Sequence, residues 1–199
     1  MTSVYVWWGI SAAVLVTSAA WLGRTVKQNI LGILLDNRGR YSLSQFQIVL
    51  WTLVVLSLLS GVFFARVFGG VATPLNITIP NELLIVMGIS VGSAATASAI
   101  KASKDLKDAR IRTKDLPKFS QLYLAEEGSG PETIDVTRFQ NFWLTLIVIV
   151  AYVATAVAYI AAQGTPAEIT ALPPFDPTLL GLLGISHAGY LAGKLPDQK

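Results

Sequence analysis

Long uncharged stretches alternate with short charged ones along this chain. Charged residues are absent from five runs, at positions 1–23, 41–65, 83–100, 139–167 and 177–193. A helix needs about 20 apolar residues, with a range of about 17–25, to cross the hydrocarbon core of a bilayer. All five runs reach that length, so the pattern predicts five transmembrane helices.

The alternative is a soluble protein whose core helices are buried. Helices of soluble proteins normally carry a polar, charged face, and these five runs have none. Only 14% of the residues are charged and the mean hydropathy is +0.57, whereas a soluble domain has about 25% charged residues. The composition therefore favours an integral membrane protein.

The second and fourth runs resemble each other, and so do the third and fifth. Matching positions in the two halves lie 92–96 residues apart: Phe46-Gln47 with Phe139-Gln140, Thr52-Leu53 with Thr145-Leu146, Thr73-Pro74 with Thr165-Pro166, and Gly88-Ile89-Ser90 with Gly184-Ile185-Ser186. Such self-similarity indicates a repeat architecture. We therefore predict an all-α integral membrane protein with one leading helix and a tandem duplication of a two-helix hairpin. An even number of spans per unit gives the two repeats a parallel orientation.

This interpretation divides the chain into four segments. Residues 1–40 form the leading transmembrane helix and its cytoplasmic connection, and residues 41–104 form the first two-helix repeat. Residues 105–134 form a charged cytoplasmic linker, and residues 135–199 form the second repeat. The connection after the first run is expected to hold a short interfacial helix or a continuation of the first helix.

Polar residues mark where several helices begin. Ser42 and Gln45 have the spacing of a capping box, and Asp135 occupies the corresponding cap position in the second repeat. Asp176-Pro177 combines a cap with a first-turn proline, which predicts the start of the fifth helix.

The distribution of basic residues predicts the orientation. Of the 15 lysines and arginines, all but Arg66 fall on one side of a five-span topology, and Arg66 is expected to reach up to the headgroups. Cytoplasmic loops are enriched in basic residues. The N-terminus should therefore lie outside and the C-terminus inside, in a membrane that we expect to be a bacterial cytoplasmic membrane.

A few polar residues inside the runs are candidates for function. Gln47 and Gln140 occupy matched positions one turn into their helices, and Ser90 and Ser186 form a second matched pair. Each pair is expected either to form hydrogen bonds between helices or to line a polar path or gate. His187, the only histidine, is expected to be a neutral imidazole bonded to a neighbour, with haem ligation or proton transfer as the alternative, since ionisable residues inside a membrane are often functional.

Glycines in the third and fifth runs have the spacing that lets helix backbones approach closely. We predict helix packing at Gly88, Gly92, Gly184, Gly189 and Gly193.

The largest polar segment carries a cluster of basic residues, which are Lys101, Lys104, Lys107, Arg110, Arg112, Lys114 and Lys118. Acidic residues interrupt this cluster, which argues against nucleic acid. We expect it to contact a cytoplasmic protein partner or anionic lipid.

The chain has no cysteine, and one histidine without a nearby carboxylate cannot build a typical metal site. No phosphate-binding loop, dinucleotide fingerprint or nucleophile elbow is present. We therefore predict no enzyme activity, no metal and no cofactor. The expected function is a non-catalytic membrane subunit that acts as anchor or scaffold, with other protein subunits or further copies of the chain as partners. A small channel or carrier is the alternative.

Overall fold

The structure is a computed structural model and describes residues 2–107, 116–125 and 133–193. Five α-helices lie within these ranges: α1 (Thr2–Lys27), α2 (Leu43–Phe68), α3 (Asn81–Lys107), α4 (Val136–Ala162) and α5 (Pro177–Ala192). Pairing of the β type is limited, within the described residues, to three isolated bridges. The predicted all-helical class is therefore confirmed.

Four of these helices, α1 to α4, are long and apolar enough to cross a membrane. Their apolar surfaces remain largely open, because at most 39% of any membrane-length window is buried inside the chain. The exposed leucine, isoleucine and valine side chains of these helices suit contact with lipid tails. At 16 residues, α5 is shorter and rises only about 24 Å at 1.5 Å per residue.

The leading helix runs antiparallel to α2. Trp7 near the start of α1 stacks on Phe68 at the end of α2, with 4.5 Å between ring centroids. Trp8 donates a hydrogen bond from its indole to Ser57 Oγ. The helix continues beyond its apolar run to Lys27, and the connection that follows holds a 3-10 turn at Gly32–Leu34.

Helices α2 and α4 begin at the same end of the bundle, which we call the inner end. A large apolar core, which includes Trp51, Leu58 and Val148, fills the space between the helices, and a second cluster around Leu43, Leu122 and Tyr190 covers the inner end. Helices α3 and α5 run side by side in the opposite direction, from the outer connections to the inner end.

The predicted helix starts are confirmed at Asp135 and Asp176, where each carboxylate accepts two first-turn amides. The predicted capping box at Ser42 and Gln45 is wrong. Ser42 makes no capping hydrogen bond. The orientation of the Gln45 side-chain amide is assigned from its hydrogen-bond partners. In that orientation its nitrogen donates to the backbone carbonyls of Leu34 and Leu35.

Candidate functional site

A buried polar cluster joins α2 to α4. The Gln47 amide nitrogen donates to Asn141 Oδ1 at 2.9 Å and to Thr145 Oγ1 at 2.8 Å. All three side chains are completely buried. Buried amides need such partners, because an unpaired polar group in an apolar medium costs free energy. The cluster therefore fixes the relative position of the two helices.

Gln140 does not join this cluster. Its side chain is exposed on the surface of α4, so the matched glutamines do not meet. The residue after it, Asn141, is the one that turns inward and bonds Gln47.

A second polar contact joins α3 to α5. Ser93 Oγ and His187 Nδ1 lie 2.7 Å apart, and both side chains are buried. This fits the expectation that the imidazole bonds a neighbour. Ser90 and Ser186 are also buried on these helices. Near the inner end, the Tyr190 hydroxyl lies 2.9 Å from Ser44 Oγ and ties α5 to the start of α2.

The glycines predicted to pack closely do not do so within the chain. A Cβ atom added to Gly88, Gly92 or Gly189 would meet nothing within 4 Å. At Gly184 and Gly193 the nearest atoms lie at ordinary van der Waals distance. Gly88, Gly92 and Gly189 are exposed, because the interior faces of α3 and α5 are formed by serine, histidine and larger apolar residues.

The tight helix contact lies at another glycine, which the spacing did not single out. A Cβ atom on Gly61 of α2 would stand 2.5 Å from the Cα atom of Trp8. This close approach lets α1 lie directly on α2.

The first connection folds over the inner end around a single carboxylate. Asp36 Oδ1 accepts the backbone amides of Arg38 and Arg40, and Oδ2 forms an ion pair with Lys101 Nζ at 2.9 Å. Side chains of this ion pair are only 12–14% exposed. The connection between α1 and α2 is thereby fastened to the inner part of α3.

A second set of hydrogen bonds adds the segment before α4 to this arrangement. The side-chain oxygen of Gln121, Oε1, accepts a hydrogen bond from the backbone amide of Tyr41 at 3.0 Å. The backbone carbonyl of Gln121 accepts a hydrogen bond from the Arg138 guanidinium at 2.9 Å. Leu122 beside it is completely buried. We call residues 29–42, 116–125 and 133–135 together the inner layer.

The predicted docking residues differ in their surroundings. Lys101 is largely buried in its ion pair, so it holds the inner layer together, whereas Lys118 is exposed. Lys104 and Lys107 lie in the last turn of α3, where the structure describes the backbone and not the side chains. Arg110, Arg112 and Lys114 lie outside the described residues altogether.

A cavity of about 120 Å³ lies between the inner layer and α3. Its polar wall comes from the first connection and the start of α2, and small residues of α3 form the other wall. The lining residues include Asp36, Arg38, Ser42, Ser44, Ser98 and Lys101. The sequence analysis did not predict this cavity. Asp36 is the only acidic residue between positions 24 and 40, among several basic residues. Its presence there was the sequence signal for an internal ion pair.

At the outer end, Arg66 joins the two outer connections. Its guanidinium donates to the carbonyls of Thr73, Ala167 and Ile169, and the side chain is 2% exposed. The expectation that Arg66 reaches up to headgroups is therefore wrong, since its guanidinium is buried against the carbonyl groups of the folded loops.

Two exposed carboxylates hold the second outer connection. Hydrogen bonds from the backbone amides of Leu179 and Thr178 lower the pKa of Asp176. The Gly164 amide and the Thr165 hydroxyl lower the pKa of Glu168 in the same way. A hydrogen bond to the ionised form makes it easier to keep the charge.

Within the described ranges, His, Cys, Asp and Glu nowhere gather in the groups of three or more that could hold a metal ion. The polar side chains that join helices to one another include hydroxyls, amides and one imidazole, which suit hydrogen bonding.

No family model, no curated protein and no solved structure matches this chain.

Proposed function

We propose that this chain crosses a bacterial cytoplasmic membrane five times and serves there as a non-catalytic subunit, an anchor or scaffold for a larger assembly. The inner layer is the observation that carries the proposal. A folded layer on one end of the bundle, with exposed apolar side chains such as Leu116 and Phe119 beside its polar ones, gives a soluble partner a fixed surface next to the membrane.

The five-span topology is supported by the contacts of α5. Although short, α5 starts at the outer connection and reaches Ser44 at the inner end through Tyr190. The proposed orientation, with the N-terminus outside, puts Lys101, Arg138 and the inner layer on the cytoplasmic side, in keeping with the excess of basic residues in cytoplasmic loops.

The proposed duplication is supported by the contact between the two outer connections. Thr78 donates from its amide to the Thr170 carbonyl at 2.8 Å, and its carbonyl accepts the Leu172 amide at 2.9 Å. Thr78 and Thr170 are matched positions in the two halves. A pseudo-twofold arrangement about an axis along the membrane normal would bring such equivalent positions together.

A scaffold needs a bundle that keeps its shape, and the interhelical hydrogen bonds suit that role. Gln47 joins α2 to α4, and His187 joins α5 to α3. Side chains that bond one another across helices are held in place and have little freedom to rearrange for a passing solute.

The proposal is tested by purifying the chain from its native membrane in a mild detergent and measuring the particle mass. We expect a complex heavier than the 21.3 kDa chain can form alone, with defined additional subunits. A single chain without partners would contradict the scaffold role.

The basic cluster is tested with a matched pair of variants. Lys104, Lys107, Arg110 and Arg112 are replaced by glutamine in one variant, and lysine and arginine are exchanged at the same positions in the control. Exposed charge pairs are screened over about 8 Å at physiological ionic strength. The glutamine variant should lose its partner, while the charge-preserving control should retain it.

A small channel or carrier is the second candidate. Within the described residues, Ser90 Oγ, Gln47 Oε1 and Asn141 Nδ2 are buried without a hydrogen-bond partner. Such atoms could bind a polar solute on a path through the bundle. Flux into liposomes that contain the purified chain would favour this function, and Ser90→Leu combined with Ser186→Leu should then abolish the flux.

A further inference from the structure

The first connection has the opposite arrangement to a layer that faces water. Its charged residues Asp36 and Arg38 are buried, whereas Ile30, Leu31 and Ile33 are exposed, Ile30 by 56%. Buried charges and neighbouring exposed apolar side chains are both unusual at the surface of a soluble protein, and an exposed apolar patch often marks contact with a partner or a membrane. This side of the inner layer therefore suits a medium less polar than water.

The flank of the inner layer next to α4 repeats this arrangement. Arg138 and Gln121 are buried, and the Arg138 guanidinium donates to the Gln121 carbonyl. Ile134 and Val136, in contrast, are 66% and 72% exposed, and Phe139 one turn further along α4 is also exposed. Two segments that are far apart in sequence thus keep polar groups inside and apolar side chains outside. We call the exposed set the apolar rim, and it consists of Ile30, Leu31, Ile33, Ile134, Val136 and Phe139.

On the α4 flank, the apolar rim continues the surface of the helix that lipid is expected to cover. Phe139 is followed at helical spacing by Trp143, Ile147 and Val150, all of them exposed. Residues three and four apart lie on the same face of a helix. Helix α4 is among those long and apolar enough to cross a membrane. The rim is therefore joined to a lipid-facing surface and is not a separate patch.

Aromatic contacts at two levels of α2 indicate where the hydrocarbon ends. Phe68 stacks on Trp7 at the outer end, and Phe46 stacks on Phe142 at the inner end, where Phe142 also contacts Trp143. Phe46 and Phe68 are 22 residues apart in α2, so they are separated by about 33 Å at 1.5 Å per residue. A hydrocarbon core is about 30 Å thick, and tryptophan is enriched at both of its boundaries. The inner boundary therefore lies near Phe46, and the inner layer begins directly beyond it.

We propose that the inner layer is embedded in the headgroup region of the leaflet at the inner end, with the apolar rim in contact with the ends of the acyl chains nearest the headgroups. The headgroup region adds about 5–8 Å to each side of the hydrocarbon core. Interfacial elements place their apolar faces about 5–10 Å into the boundary between headgroups and acyl chains. The proposal rests on the membrane location proposed above and not on the scaffold role. A soluble partner could then dock only on the side of the layer that faces away from the membrane.

The test places a spin label on single cysteines of the full chain, which has no cysteine of its own. Ile33→Cys, Ile134→Cys and Val136→Cys are purified, labelled and reconstituted into phosphatidylcholine liposomes without any other protein. Electron paramagnetic resonance measures how often each label collides with oxygen, which concentrates in the bilayer, and with a water-soluble nickel chelate present on both sides. We expect collisions with oxygen to exceed collisions with nickel at all three positions.

Three further labels serve as references. Asn37→Cys is the matched control for Ile33→Cys, because it is also exposed and lies in the same connection, and its ratio of nickel to oxygen collisions should be higher. Val150→Cys reports the hydrocarbon core, and Asn76→Cys, exposed in an outer connection, reports water. If Val150→Cys meets nickel more often than oxygen, the membrane location itself fails. If Val150→Cys meets mainly oxygen while the rim positions meet mainly nickel, the embedded layer alone is overturned.

Two other results at the rim would also overturn the proposal. Few collisions with either reagent would mean that protein and not lipid covers the rim. Labels that broaden one another's spectra would mean that a second copy of the chain lies there.

Should the rim variants fail to fold, tryptophan quenching tests the same depth. The native chain and Trp143→Phe are compared in liposomes whose phospholipids carry bromine near the glycerol end or near the tip of the acyl chains. Trp143 lies one turn beyond the rim on α4, so its removal should reduce the quenching by shallow bromine more than the quenching by deep bromine. A larger loss with deep bromine would place the start of α4 inside the hydrocarbon and would contradict the proposal.

Discussion

Gln47 and Gln140 occupy matching sequence positions but have opposite surroundings. Gln47 is completely buried and bonded to α4, whereas Gln140 is exposed. Sequence periodicity identifies residues that share a helix face, yet the packing of the other helices decides which face turns inward. At this position α4 is rotated so that Asn141 takes the inner position.

This difference predicts unequal effects for the same substitution. Gln47→Leu removes two interhelical hydrogen bonds and leaves the Asn141 and Thr145 side chains without them. We expect a loss of about 1–2 kcal/mol in the free energy of unfolding. An average hydrogen bond between membrane helices contributes about 0.6 kcal/mol, and a buried polar group left without a hydrogen-bond partner costs more. Gln140→Leu is the matched control and should change stability little. Reversible unfolding in mixed micelles measures both, and equal effects would contradict the buried cluster.

Residue types alone could not assign the buried charges. Lys101 stands first in a basic cluster, and its pairing with Asp36 spans 65 residues of sequence. Arg66 is an isolated arginine at a helix end, and its carbonyl acceptors come from two loops that meet only in the folded chain. The sequence predicts that such residues need partners, but a fold is required to supply them.

At the scale of helices, the sequence predicted the elements well because lipid imposes a length and an apolar composition. The uncharged runs 41–65 and 139–167 each correspond to one helix, α2 and α4, and α3 continues past its apolar run into the charged segment. The sites of close packing were harder to predict, since a glycine pattern states where two backbones can approach and not where they do.

The glycine contacts lead to a prediction about α1. Gly61→Ala puts a methyl group against the backbone of Trp8, and overpacking of this kind costs about 1–3 kcal/mol. We expect α1 to separate from α2 and Trp8 to lose its hydrogen bond to Ser57, with a shift in tryptophan fluorescence. Gly88→Ala is the control, because open space surrounds it, and its unfolding temperature should match that of the native chain. A harmless Gly61→Ala would contradict the close contact.

The outer connections predict how stability depends on pH. Asp176 and Glu168 both have a lowered pKa in the folded chain, so the folded state binds protons less readily than the unfolded state. Their contribution to stability is therefore complete above the unfolded pKa values of about 4 and is lost as the pH falls through the lower folded values.

Unfolding temperatures measured between pH 7 and pH 3 test this dependence. The variant with Asp176→Asn and Glu168→Gln keeps side chains that can accept hydrogen bonds but cannot titrate. The native chain should lose more stability on acidification than this variant does. Parallel curves for the two proteins would show that these carboxylates contribute nothing to the pH dependence.

For the whole molecule, the inner layer is the part that sequence reasoning did not anticipate. The segment between the repeats was expected to be a charged linker, yet Gln121 and Leu122 are buried against the first connection. The layer depends on contacts between segments far apart in sequence, such as the hydrogen bond from Tyr41 to Gln121. No local pattern of apolar residues encodes a contact of that kind.

The last prediction concerns whether α5 crosses the membrane completely. Its 16 residues rise about 24 Å, less than the roughly 30 Å of a bilayer core. The contact of Tyr190 with Ser44 nevertheless brings its end to the inner end of the bundle. Since the outer connection before α5 is partly buried, with Ile169, Leu172 and Phe175 in the core, we expect the loop and the helix together to complete the span.

Single cysteines can test this directly, because the native chain has none. Ala167→Cys lies in an outer connection, Lys118→Cys in the inner layer, and Gln198→Cys follows α5. In intact cells, a membrane-impermeant thiol reagent should label Ala167→Cys alone, and Lys118→Cys and Gln198→Cys should react only after the membrane is opened. Labelling of Gln198→Cys together with Ala167→Cys would mean that α5 turns back, and labelling of Lys118→Cys from outside would reverse the proposed orientation of the whole bundle.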